Sequence, residues 1–501
     1  MQAERQREYM KSRAKMTACA MAAFAALGTA QSFRPEIPRV WDDKELERFE
    51  VPLAQRGRSP RYLTSKEYYS LKVRPIYQTY PVYAPGREPA GYIESLKQKD
   101  PEIIFDPSKL RTKEDWIAAG KLVFESEPLM FPLPEKGPFF PTPLPPSVDG
   151  ILPGFIPGNR YIIRKKGVLE VGINSCSGCH TRIMPDGTFL QGAQGIVDFR
   201  ADADTLRQAN EMKPEEVKQR QEMTWILYGA PWILDKEKFV ESLTKDELVR
   251  QLAAGHPGVI ARQGTSASHP PHIPSLIGVK DHKYLDSTGL VRHRSIGDLA
   301  RYAVTNQGLD TMAHYGDFQP SVHRTPFSSE VGTRYSDEQL YALALYLYSL
   351  QPPPNPNPVD ERARRGQKIF TQQGCAGCHT PPLYTNNKLT PAVGFKIPDD
   401  LRRSDGILDV VVGTDPTAAM RTRRGTGFYK VPSLRGVWYR NAFGHGGWVD
   451  TLEEWLDPAR LKDDYAPKGL PGRSGPIQGH EFGLKLTLED RQALIAFLKT
   501  L

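Results

Sequence analysis

The chain has 501 residues, enough for two or three domains. Its formal charge is +8, its pI is about 9.0 and its mean hydropathy is −0.49, with no apolar run that spans a bilayer. No multi-span helical membrane protein is expected, and no Gly-rich phosphate loop, nucleophile elbow or His-Glu-x-x-His helix is evident.

From Met10 the chain reads as a secretory leader. A basic start (Lys11, Arg13, Lys15) precedes an apolar stretch, Met16 to Leu27, and the small residues Gly28-Thr29-Ala30. Cleavage after Ala30 or Ser32 is the expectation, and an uncleaved anchor is the alternative. Losing residues 1–30 leaves a charge of about +5. Residues 31–112 read as an N-terminal extension.

A first unit, 113–350, opens with Gly120-Lys121-Leu122-Val123-Phe124. About fifty residues rich in Pro, Gly and Phe then intervene (Glu125 to Ser175), long for a structureless loop. They read as a cover for the face of a bound group, as the wall of a channel, or as a surface excursion. The motif Cys176-Ser177-Gly178-Cys179-His180 follows, then Ile273-Pro274-Ser275-Leu276-Ile277-Gly278-Val279. The unit closes on a helix with apolar residues at helical spacing, capped by Ser336 with Gln339 three residues on. Gln351 to Pro358 is a proline-rich linker that blocks helix continuation.

The second unit, 359–501, repeats the first. Gly366-Gln367-Lys368-Ile369-Phe370 matches Gly120 to Phe124. Cys375-Ala376-Gly377-Cys378-His379 is the second motif. Val431-Pro432-Ser433-Leu434-Arg435-Gly436-Val437 matches Ile273 to Val279, and Thr487 with Asp490 opens the last helix. Leu343, Tyr346, Leu347 and Leu350 match Leu494, Phe497, Leu498 and Leu501.

Cys-x-x-Cys-His is the pattern of covalent c-type haem attachment. Both thiols add across the haem vinyl groups, and the adjacent His180 or His379 becomes the proximal iron ligand. A thioredoxin-type pair or half a zinc site would explain the thiols but not a His after both pairs. The fifth cysteine, Cys19, falls in the leader, which leaves no thiol for a structural disulfide. Two haems bring four propionates, so the holoprotein is near neutral and the basic pI carries no nucleic-acid meaning. The expected fold is mainly α, with two cytochrome c-like haem domains, long irregular loops and the N-terminal extension.

The stretch Val431 to Val437, then Phe443-Gly444-His445-Gly446-Gly447 and Thr451-Leu452-Glu453-Glu454, resembles the di-haem cytochrome c peroxidase and MauG superfamily. That family carries Thr-Pro-Thr-Leu-Arg-Asn-Val, Phe-His-Asp-Gly and Thr-Leu-Glu-Glu in this order. The wide gap between the motifs also looks like its rubber-oxygenase branch. The resemblance is strong over 359–501, moderate over 273–350 and weak before 113. It implies that Arg435 contacts a propionate and that His445 stands near the haem without ligating it. It also implies peroxide or dioxygen as substrate and a small redox protein, or another electron donor or acceptor, as partner. Calcium, which related enzymes hold between domains, stays open because its ligands are not legible.

The departures bear on mechanism. The inter-haem Trp of the peroxidases has Tyr284-Leu285-Asp286-Ser287 in its place. No His occurs from Thr181 to Gly255, where a distal His is expected, and Asn306 to Tyr315 offers no counterpart of the catalytic Glu.

Axial ligands decide whether a haem binds substrate or only passes electrons. His480 stands where the family has a ligating Met, so a His379/His480 pair is expected, with Met420 as the alternative. The first haem is expected to have an open or water-filled distal side. His256, His269, His272, His282, His293, His314 and His323 are the candidates that would close it. For an open site, Asp286, Arg294 and His314 are the expected acid–base or hydrogen-bonding groups. Three functions follow: an exported, periplasmic di-haem oxidoreductase, a non-enzymatic electron carrier, and a dioxygenase of an apolar substrate. The oligomeric state is not legible.

Overall fold

The computed structural model describes residues 33–83, 87–127, 129–133, 155–173, 175–195, 203–253, 255, 257–266, 268–306, 312–320, 333–402, 406–468 and 474–501. The leader, His256 and His323 lie outside the described residues.

The segment before residue 113 is threaded through the first unit. Val40, Trp41, Phe49, Leu53, Tyr68 and Ile76 share one buried core with Trp116, Phe124, Leu343 and Tyr346. The Trp41 indole donates to the Leu63 carbonyl at 2.8 Å, and its ring stacks on Tyr68 at 4.8 Å. The same segment reaches the second unit. Ala54 N donates to Gly425 O at 2.9 Å, while Val51 N donates to Leu290 O of the first unit at 2.7 Å.

Strand β1 (Thr79–Tyr83) of that segment joins β2 (Leu129–Pro132), β3 (Phe155–Lys165) and β4 (Val168–Ile173) of the intervening stretch. They form an antiparallel four-stranded sheet in the order β1-β3-β4-β2. Val82, Tyr161, Ile163, Leu169 and Val171 bury its inner face with Leu96. The stretch before the first motif is thus in part a built sheet, and β4 delivers the chain directly to Cys176. Helix exceeds strand among the described residues, with irregular loops between elements, but this sheet is an addition to the expected helical fold.

The repeats become two helix crossings of the same kind. Helix α1 (Lys113–Glu125) packs on α2 (Asp337–Ser349), and α3 (Glu361–Gln372) packs on α4 (Leu488–Lys499). A Cβ on Gly120 would sit 1.9 Å from the Ala342 carbonyl oxygen, and one on Gly366 would sit 1.9 Å from that of Ala493. The glycines are there because the helix backbones touch. Ser336 makes a full capping box with Gln339. Thr487 accepts from Asp490 N, without the reciprocal bond to its own backbone.

Gly366→Ala should therefore push α3 off α4 and lower stability by about 1–3 kcal/mol. The denaturant midpoint of the holoprotein measures it, and an unchanged midpoint would show that the crossing relaxes freely.

The halves are joined by polar contacts as well as by the N-terminal segment. Arg424 pairs with Asp286 at 3.0 Å. Thr288 donates to Arg424 O at 2.8 Å, and Arg182 to Asn441 Oδ1 at 2.8 Å. The Arg423 guanidinium takes the carbonyls of Leu227 and Gly229, both at 2.7 Å, and so caps the helix Pro214–Tyr228 at its carbonyl end.

Candidate haem centres

The two Cys-x-x-Cys-His motifs form the same local turn by different means. Ser175 caps a single helical turn over Cys176–Cys179, while Gly374, at φ 75°, turns the chain into a 3₁₀ turn over Cys375–Gly377. In both, the histidine N–H donates to the first cysteine's carbonyl at 2.9 Å. Each histidine is then oriented by the second repeat. His180 Nδ1 donates to Pro274 O at 3.0 Å, and His379 Nδ1 donates to Pro432 O at 3.1 Å. A carbonyl only accepts, so the proton is held on Nδ1 and Nε2 is left as the nitrogen for a metal. Burial pushes the His180 imidazole down to about 4, keeping it neutral.

The cysteines fit this and not the thiol alternatives. All four are free. Burial raises the Cys179 thiol and pushes that of Cys375 up to about 11, the reverse of a reactive redox thiol. Among the described residues no group of three His, Cys, Asp or Glu could hold a bare metal ion.

A cavity of about 290 Å³ opens beside the second motif. Cys375, Cys378 and His379 form one wall, His480 stands opposite, and Phe370, Leu494 and Leu498 line it with apolar surface. The His379 and His480 ring centres are 6.3 Å apart. A metal–imidazole nitrogen bond is about 2.0 Å and the ring centre lies about 1.1 Å behind the nitrogen, so rings sharing one ion stand about 6.2 Å apart. His480 Nδ1 is buried without a partner. Thiols, proximal imidazole, apolar walls and opposed imidazole together fit a covalent haem. Met420 packs with Ala392, Ala419 and Tyr429 and does not line the cavity.

The polar lining was not legible in the sequence. Arg440 lines the cavity and donates to Ser433 O at 2.8 Å, while its Nε is buried without a partner. Lys430 also lines it. Burial pushes its ammonium down to about 8, against the pull of Asp286. Two cations in an apolar chamber are suited to haem carboxylates. Arg435, expected at a propionate, is instead paired with Asp281 at 3.1 Å, its side chain 39% exposed, and lines a small side pocket rather than the main cavity. His445 does line the cavity, stacked 4.0 Å from Tyr429 and set edge-on to Trp448 at 4.3 Å.

The groups expected around the first haem are dispersed. Asp286, at φ 70°, keeps 13% of its side chain exposed; its partial burial would raise its carboxyl, but Arg424 and Lys430 hold it below the ordinary range. The Tyr302 hydroxyl donates to it at 3.3 Å. Arg294 is committed to Asp298 and Glu45, both at 2.8 Å. His314 exchanges backbone hydrogen bonds with Arg61. His293 uses both ring nitrogens, on His282 O at 2.7 Å and the Tyr348 hydroxyl at 2.6 Å. His269 faces Asp415 at 3.8 Å, and His272 and His282 line the second cavity. Among the described residues no imidazole opposes His180 as His480 opposes His379.

No family model matches the chain. Methylamine utilization protein MauG of Methylorubrum extorquens is 28% identical over 188 residues, 36% of this chain and 47% of that protein. The chain resembles the MauG and di-haem peroxidase superfamily. It spans about half the length of this curated relative. Among solved structures, a MauG-like protein associated with microbial copper homeostasis shares 15% identity over 58% of this chain and 88% of its own, with a TM-score of 0.30. A variant of the diheme peroxidase BthA from Burkholderia thailandensis shares 18% identity over 50% of this chain and 75% of its own, at 0.26. These scores are too low to carry an argument about the fold, so the resemblance rests on the MauG alignment and the motifs.

Proposed function

We propose that this chain is an exported oxidoreductase with two covalently attached haems, one for electron transfer and one for peroxide or dioxygen. The observation that carries it is the asymmetry between the motifs: His379 faces an imidazole across a haem-sized gap, and His180 faces none among the described residues. Bound haem iron supplies one-electron chemistry. The residues supply the rest. Pro274 and Pro432 hold the Nδ1 protons of the proximal histidines. His480 closes the second centre to exogenous ligands. Asp286, ionised beside Arg424, is retained as a proton-accepting group, with the Tyr302 hydroxyl already hydrogen-bonded to it. Arg294 is taken up by Asp298 and Glu45, whereas only the backbone of His314 is engaged, with Arg61, so its imidazole stays a candidate. Export is supported by the basic-then-apolar leader, and among the described residues no helix is long and apolar enough to cross a membrane. The proposed division is into 113–350 and 359–501, with residues of the 31–112 segment built into the core of the first unit.

Electron paramagnetic resonance of the ferric holoprotein tests the reading. One low-spin and one high-spin signal, the latter altered by hydrogen peroxide, is expected. Two low-spin signals unmoved by peroxide, even after half-reduction, would leave a non-enzymatic carrier. Arg440→Leu should lower the second haem's midpoint potential by about 60 mV, a tenfold change in a one-electron equilibrium, and Arg435→Leu should leave it near the parent value. A redox titration separates the two.

A further inference from the structure

We infer that Arg460 is a positioning residue that holds His480 against the second haem and places a buried positive charge beside it. The inference rests on His480 being that haem's second axial ligand.

Arg460 is 0% exposed. Its Nε donates to Trp455 O at 2.8 Å, Nη1 to Ile477 O, and Nη2 to Gly479 O at 2.8 Å and His480 O at 2.9 Å. The guanidinium also lies 4.8 Å from the Trp455 ring centre. Three of its four acceptors are therefore carbonyls of the loop that carries His480. None is a carboxylate, and Arg460 makes no ion pair among the described residues.

The loop is clamped from the other side too. His480 N donates to Val412 O at 2.6 Å, and a Cβ on Gly479 would lie 2.2 Å from the Gly413 carbonyl carbon. His480 itself sits at φ 47°, in the left-handed region that a side chain disfavours. Such a conformation persists only where its surroundings over-determine it. Here the determinants are the 412–414 backbone on one face and one guanidinium on the other. Arg460 is itself placed by the turn Pro458–Leu461, capped by Asp457, and its own carbonyl accepts from Ile477 N at 2.7 Å.

The planar fork explains why arginine stands here. Lysine has three donors around one point and cannot span carbonyls at 455, 477, 479 and 480 together. Arginine also stays charged however deeply it is buried. A cation bonded only to carbonyls, with the Glu481 carboxylate acting on it through space and not as an ion pair, favours at a nearby iron the state with one more electron. Arg460 therefore offsets part of the low potential that two imidazole ligands impose.

Three holoprotein variants, H480A, R460M and R460K, test this by paramagnetic resonance, carbon monoxide binding to the reduced form and redox titration. H480A should lose the low-spin signal and bind carbon monoxide at both haems. R460M should show a mixture of low- and high-spin second haem, with the remaining low-spin population shifted to lower potential. R460K keeps the charge without the fork, so it should show mixed spin at nearly the parent potential, and it decides the matter if R460M does not fold. If H480A converts the signal while R460M and R460K leave spin state and potential unchanged, the inference is overturned and the ligand assignment stands. If H480A leaves the low-spin signal intact, the ligand assignment fails and the inference with it.

Discussion

Replacing His480 with methionine should keep the second haem six-coordinate and raise its midpoint potential, whereas replacing Met420 with alanine should change neither. A thioether ligand opposite histidine favours the reduced iron relative to a second imidazole. The side chain at 480 is aimed at the cavity by a backbone that Val412 and Arg460 fix from two sides, so a ligand-competent side chain of similar reach inherits the position. The expected rise is more than about 59 mV, over tenfold in the one-electron equilibrium. Met420 is held in a separate cluster under Tyr429. A redox titration with paramagnetic resonance at each step reads both quantities. A potential that moves in Met420→Ala and not in His480→Met would reverse the assignment.

Repetition marked the candidate haem motifs and the stretches where helices cross. Gly120 and Gly366 mark identical close approaches, and Pro274 and Pro432 mark the identical carbonyls that orient the proximal histidines. A residue that does the same work twice leaves a sequence signal. Residues that work once leave none. Arg440, Lys430 and Arg460 are charged side chains in a charged protein, and only burial shows that they serve a site. The sheet had a signal that helical repeats overshadowed. Tyr161-Ile162-Ile163 and Val168-Leu169-Glu170-Val171 are β-branched and aromatic runs on either side of Lys166-Gly167, with Gly167 at φ 80°. The N-terminal segment could not be placed, because its Trp41, Phe49 and Tyr68 carry no periodicity that points to a partner 270 residues on. Arg294 was proposed from order along the chain, and order does not see that Glu45 arrives from the N-terminal segment to pair with it.

Raising the pH from 5 to above 8 should destabilise the protein through one carboxyl beside the first motif, and Glu127→Gln should abolish that part of the dependence. Glu127 is 3% exposed, accepts from Ser175 N at 2.8 Å and has its other oxygen buried without a partner. Burial pushes its pKa up to about 8 from the ordinary 4.5, with the Ser175 hydrogen bonds pulling only partly the other way. Between those values the folded chain holds a proton that the unfolded chain has released. Stability is then full below about 4.5 and falls as pH rises through about 8. The whole span is worth at most about 5 kcal/mol, at about 1.4 kcal/mol per pH unit of displacement. Glutamine keeps the acceptor for Ser175 and cannot ionise. The variant should match the parent at pH 5 and exceed it by several degrees in Tm at pH 9. Parallel melting curves for parent and variant across that range would show Glu127 to be stably ionised in the fold. The consequence reaches the first centre, because Ser175, which Glu127 holds, is the cap of the turn that presents Cys176, Cys179 and His180.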